Sequence, residues 1–254
     1  MTKLSANQEP PAIRTDLAQA IELAIQRLVQ AGTWWTGEQR RAIAEEARHA
    51  RTCSLCLERK NALSPNSIQG THDVLNDFSA DVIEAIHRLS TDSGRLSEKW
   101  VTEITSGDLS EEAYVEIIGI VAVITALDTF DYVMNGASVG DSGREWDQLP
   151  AAQPGEPSFH RPNGAKRNLA WVHTLAPEDV ESSDPNPYPV HGMANIHRGL
   201  SLVPQEVFNF FDLDVELYLW DSQLRDFGNS PRTINRAQLE LIAGRASAIN
   251  NCVY

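Results

Sequence analysis

The residues best equipped for chemistry lie in one stretch, Glu45-Glu46-Ala47-Arg48-His49-Ala50-Arg51-Thr52-Cys53-Ser54-Leu55-Cys56-Leu57-Glu58-Arg59-Lys60. On a continuous helix, residues three and four apart share a face. His49, Cys53, Cys56 and Lys60 would then form one stripe, with Glu45 or Glu46 a turn above. The thiolate is the reactive form of cysteine, and nearby cations favour it; His49, Arg59 and Lys60 can supply them. A second thiol one turn away can resolve a sulfenic acid into a disulfide. The same residues also suit a metal. His49, Cys53 and Cys56 with His72 or His87 offer nitrogen and sulfur ligands for a divalent ion such as zinc or iron. Two buried cysteines merely packing in a helical core are the plain alternative.

Helices are the elements expected to position these groups. Leu17, Ile21, Ala24, Ile25 and Leu28 recur at helical spacing, giving a first helix that ends near Gly32. Thr36, with Gln39 three residues on, reads as a capping box. It opens a helix expected to run unbroken to about Leu63, where Ser64-Pro65-Asn66 stops it. Further helices are expected at Asp81–Leu89 and Arg95–Ile104. A long apolar helix should follow from Ser110-Glu111-Glu112 to about Met134; its length and acidic first turn decide for helix over strand. Helical patterning returns at Asn195–Leu200, Gln205–Leu219 and Arg236–Asn251, and no β-hairpin signal is present. Between Gly136 and Ala194 lie eight of the 13 prolines. This is too long for an ordinary loop, and it is expected to wrap over the core or cover a site.

The 254 residues carry a net charge of -14 and 42% hydrophobic residues, enough for a sizeable core. That charge argues against nucleic acid, whose phosphates need Lys and Arg, and against an anionic membrane surface. No apolar run approaches the ~20 residues of a membrane span, and the polar start shows no secretory h-region. Only three cysteines, Cys53, Cys56 and Cys252, point to a reducing cytoplasm. No Gly-rich phosphate loop appears, so no organic cofactor is implied.

The stretch from about Trp35 to Asn135 resembles the alkylhydroperoxidase D and carboxymuconolactone decarboxylase superfamily. The resemblance rests on the Cys53-x-x-Cys56 helix, on Arg88-Leu89-Ser90-Thr91-Asp92 with Arg95-Leu96, and on Leu109-Ser110-Glu111-Glu112 leading through Tyr114-Val115-Glu116-Ile117-Ile118-Gly119. Asn195-Ile196-His197-Arg198-Gly199-Leu200 and Glu240-Leu241-Ile242-Ala243 with Cys252 resemble the same fold again. The resemblance implies an all-α protein of two alkylhydroperoxidase-like helical units. The layout is a tail over 1–14, a first unit over 15–135, a Pro-rich connection over 136–194 and a second, incomplete unit over 195–254. It also implies a peroxidase-like thiol oxidoreductase acting on a peroxide or small electrophile with a thiol reductant. Cys56 would attack, Cys53 would resolve, and His49 with Glu46 or Glu45 would move protons beside Lys60. The family pattern Glu-x11-Cys-x2-Cys-x3-His is altered here, with Arg41 in the Glu position and Lys60 in the His position. The second copy keeps Glu240 and Cys252 at the right interval and stops at Tyr254. The rival expectations are a metal-dependent or cofactor-free lyase using His49, Cys53, Cys56 and His72, and a non-catalytic assembly protein. A two-fold homodimer is expected through Leu239, Ile242, Ala246 and Ile249.

Overall fold

The computed structural model describes residues 12–135, 148–188, 195–250 and 252. The expected loose tail lies largely outside these residues, as do both ends of the expected Pro-rich connection where it meets the helices. Among the described residues the regular structure is helical, and the β-type pairing is one isolated bridge between Lys166 and Thr174. The larger helices are α1 (Thr15–Leu28), α2 (Gly37–His49), α3 (Ser54–Asn61), α4 (Ala80–Asp92), α5 (Glu98–Ile104) and α6 (Glu111–Asn135). After the irregular segment come α7 (Asn195–Arg198), α8 (Pro204–Leu217), α9 (Asp221–Leu224) and α10 (Arg236–Ile249).

Local chemistry explains the starts. The Thr36 hydroxyl accepts from Gln39 N at 3.2 Å while the Gln39 side chain accepts from Thr36 N at 3.0 Å, which closes the expected capping box. Ser97 caps α5 by accepting from Trp100 N, and Asn235 with Gln238 closes a second capping box at α10. Helix α5 begins at Glu98, later than the expected Arg95, because Ser93–Arg95 forms a tight 3-10 turn instead.

The core gathers around α6, against which α2, α4 and α8 pack. Ile43, Ala44 and Ala47 of α2, Ala85 and Ile86 of α4, and Ile117, Ile120, Ile124 and Leu127 of α6 are all buried there. Leu202, Val203 and Val207 of the second half belong to this same cluster, and α8 packs on α1 as well as α6. Gly119 permits the close approach, since any side chain there would run into Glu206 of α8. The packing is thus continuous across the proposed boundary and does not confirm two separate helical units. The described part of the Pro-rich segment lies on this body. Gln153 N donates to Val29 O and Phe159 N to Thr33 O, each at 2.8 Å. Leu149 and Val172 enter the core.

Two sequence expectations are corrected. By length and composition Glu111–Met134 is apolar enough to cross a membrane, with a mean hydropathy of 1.8, although half of its apolar stretch is buried inside the protein. It also carries buried acids. Glu116 pairs with Arg40, and Asp128 takes Arg48 Nη2 at 2.8 Å and Arg51 Nη1 at 2.9 Å. The helix expected to run from Thr36 to Leu63 is broken. It stops at His49, turns through a 3-10 element at Ala50–Thr52, and restarts at Ser54.

Candidate metal and thiol centre

The break sets the geometry of the cysteines. Thr52 Oγ1 bonds back to His49 O at 2.9 Å, and Cys53 takes an extended backbone (φ -62, ψ 127) as the residue preceding α3. Cys53 therefore sits at the mouth of a helix N-terminus and Cys56 in its first turn. The proposed stripe of His49, Cys53, Cys56 and Lys60 does not exist as one helical face. The two sulfurs instead point inward, Cys53 fully buried and Cys56 2% exposed.

Two histidines meet them from other segments. His72, in the loop between α3 and α4, places Nδ1 3.5 Å from Cys53 Sγ and 3.5 Å from Cys56 Sγ. His87, on the buried face of α4, places Nδ1 3.3 Å from Cys56 Sγ. The four donor atoms, Cys53 Sγ, Cys56 Sγ and one nitrogen each of His72 and His87, lie within 4.8 Å of one another. This group could hold a metal ion.

Carboxylates fix both rings from behind. His72 Nε2 lies 2.7 Å from Glu84 Oε2, and His87 Nε2 lies 2.9 Å from Glu46 Oε1. In a neutral imidazole a carboxylate at Nε2 keeps the single ring proton there, which turns the Nδ1 lone pair toward the sulfurs. The carboxylates are themselves held. Glu84 takes two bonds from Arg59 Nη1 at 2.8 and 3.0 Å. Glu46 accepts from the backbone N–H groups of Leu75 and Asn76.

The electrostatics follow from these contacts. Burial opposes a charge on His72, yet its bonds to Cys56, Glu84 and Cys53 outweigh that and lift it to about 10. Burial likewise opposes a charge on Glu84, but His72 and Arg59 pull it down to about 2. Burial, reinforced by the neighbouring His72, holds His87 below the ordinary histidine value despite Glu46. The Cys53 thiol is resisted by burial but pulled below its ordinary value by donors converging on it: the Cys56 backbone, His72 and Asp73 N–H at 3.4 Å.

The remaining sequence candidates lie elsewhere. Glu45 pairs with Arg41 at 2.8 Å on the outer face of α2. Lys60 is exposed. His49 acts electrostatically on Asp73 and His87 but is not among the converging donors. Of the expected metal donors, Cys53, Cys56, His72 and His87 come together and His49 does not. Glu84 is not among the sequence candidates; the signal for it is its place three residues before His87 on one helix face. No family model matches the chain, and no curated protein or solved structure matches it either.

Proposed function

We propose that this protein is a metalloprotein whose ion, Zn²⁺ before iron, is held by Cys53 Sγ, Cys56 Sγ, His72 Nδ1 and His87 Nδ1. One observation carries the reading: two sulfurs and two ring nitrogens converge in a dry site while both opposite ring nitrogens are fixed by carboxylates. A tetrahedral zinc with Zn–S near 2.3 Å and Zn–N near 2.05 Å requires S···N edges of about 3.6 Å. The three S···Nδ1 separations of 3.3 to 3.5 Å fall close to that. A single proton at His72 Nδ1 serves two sulfurs poorly, whereas an ion at the centre serves all four donors. Four protein ligands close the shell, which is the habit of structural rather than hydrolytic zinc. Metal analysis of the reduced, purified chain should give one ion per chain. Co²⁺ substitution should give the thiolate-to-cobalt absorption of a tetrahedral site. Metal-free protein that takes up neither ion would overturn the reading.

A second reading is the thiol oxidoreductase, on a scaffold resembling the alkylhydroperoxidase D superfamily, in a reducing compartment. The lowered Cys53 thiol supports it, as do the Glu46–His87 and Glu84–His72 pairs, which are built like proton relays. The donors converge on Cys53, whereas the resemblance assigns attack to Cys56. Its substrate would be a small peroxide or electrophile and its reductant a second thiol compound. Peroxide consumption by metal-free protein, lost on Cys53→Ser and Cys56→Ser, would support it. Burial of both sulfurs favours the metal reading over this one.

A further inference from the structure

We propose that the Cys53–Cys56 pair is a redox latch: hydrogen peroxide converts it to a disulfide, the metal leaves, and the segment 54–75 comes loose from α4. This rests on the metal reading above and adds to it the regulation of that site. Three observations meet here. The first is the shared helical turn. Both sulfurs flank the start of α3, both lie 3.5 Å from the same His72 Nδ1, and they are within 4.8 Å of each other. The pair closes by side-chain rotation, with little demand on the backbone.

The second observation is that this segment is held by polar ties and only a small apolar cluster. Cys53, Leu55 and Cys56, with Ile68, form a small cluster apart from the main core. Leu57, Leu63, Val74 and Leu75 are exposed rather than buried. Its outward polar ties are Arg59 and His72 to Glu84, Asn66 to Arg88 at 2.9 Å, Leu75 N to Glu46, and Arg95 to the carbonyls of Arg59, Lys60 and Ala62. The metal would join α3, the loop and α4 at one point, so its loss removes a link that all three share.

The third observation concerns access. A cavity of about 830 Å³ is bounded by His72 and Glu84, and by Gln69, Gly70 and Thr71 of the same loop. It brings solvent to the far side of His72, while the sulfurs themselves stay covered. An oxidant would have to pass His72 to reach them, and hydrogen peroxide is the smallest peroxide that could do so.

The balance is complete. One thiolate sulfur attacks a peroxide oxygen, the O–O bond breaks, and hydroxide leaves as water after taking a proton from solvent. The second thiolate attacks the sulfenic sulfur, the S–O bond breaks, and a second hydroxide leaves as water with a second proton. Two thiolates lose two electrons, one peroxide gains them, and Zn²⁺ departs without changing its oxidation state. A small dithiol reductant reverses the change.

The test uses the full chain carrying Cys252→Ser, loaded with Zn²⁺ and treated with a small excess of hydrogen peroxide. A chromogenic chelator should report loss of one Zn²⁺ per chain in step with loss of two thiols. Intact mass should show two hydrogens lost and no oxygen retained. Limited proteolysis should move to sites within 54–75, and dithiothreitol with Zn²⁺ should restore protection. Zn²⁺ and both thiols surviving peroxide would overturn the latch while leaving the metal centre standing. Thiol loss with Zn²⁺ retained, or Zn²⁺ loss with proteolysis unchanged, would also overturn it. Failure to load Zn²⁺ at all would overturn the metal reading itself.

Discussion

Glu46 and Glu84 touch no sulfur, yet each decides what a histidine can do. Removing the negative charge behind a ligating imidazole lowers its basicity and frees the ring to turn. Such changes cost about 10–100-fold in metal affinity. We expect Glu46→Gln and Glu84→Gln each to weaken Zn²⁺ binding by that order in chelator competition, with Lys60→Ala unchanged. Equal affinity in all three would remove the carboxylates from the account. The same pairs set the pH response of the metal-free protein. Glu84 is depressed from 4.5 to about 2 in the fold, so its contribution is present above 4.5 and disappears as pH falls toward 2. His72 is raised from 6.5 to about 10, so its contribution is full below 6.5 and is lost as pH rises toward 10. Urea unfolding in the presence of chelator should show stability falling at both ends. Glu84→Gln should flatten the acid side, and an acid limb identical to wild type would contradict the assignment.

At the scale of elements, what could be read from the sequence was whatever depends on local spacing. The apolar positions of α1, α4, α6 and α8 repeat at helical intervals, and Thr36 with Gln39 announces its own cap. The β-branched run of α6 sits correctly in a helix because its length outweighs its residue preferences. The break after His49 was not legible. His49-Ala50-Arg51-Thr52 contains neither Gly nor Pro, and nothing in its order says that the chain must turn there. The turn carries its own Thr52–His49 bond, and the inward sulfurs meet His72 and His87 from the next two segments. The cysteines, His72 and His87 are legible as candidate donors from sequence, whereas His49, on the expected face, is not among the four that converge. A second burial was equally hidden: Arg40 of α2 bridges Glu116 of α6 and Glu206 of α8, with Glu206 Oε2 buried and unbonded. Burial lifts the Glu116 carboxyl, with Glu206 adding to it and Arg40 opposing. Deleting the cation strands two acids in the core. We expect Arg40→Met to cost about 3–5 kcal/mol, read by denaturant unfolding. Adding Glu116→Gln and Glu206→Gln should recover part of that loss; no recovery would mean that the arginine acts through packing alone.

The molecule as a whole carries -14 charges and, at one end, an uncovered apolar face. Leu239 of α10 is buried, but Leu241, Ile242 and Ile249 are exposed, so the expected stripe is only partly covered by its own chain. Burying it between two copies is the simplest relief, opposed by like charge that salt screens. We expect light scattering to show a dimer that strengthens as salt is raised and disperses on Ile242→Glu. A monomer at every salt concentration would end the expectation.

The four donors fall between Cys53 and His87, and their bonds join residues 16, 19 and 31 positions apart. The Arg40–Glu206 bridge spans 166. Closing a short loop is quicker and costs less entropy than closing a long one. On the metal reading, ion capture would belong to the beginning of folding, when α2 to α4 suffice, and burial of the charged bridge to its end. During synthesis the centre would be assembled before α8 has left the ribosome, and the first half would wait, already stapled, for the helix that completes its core.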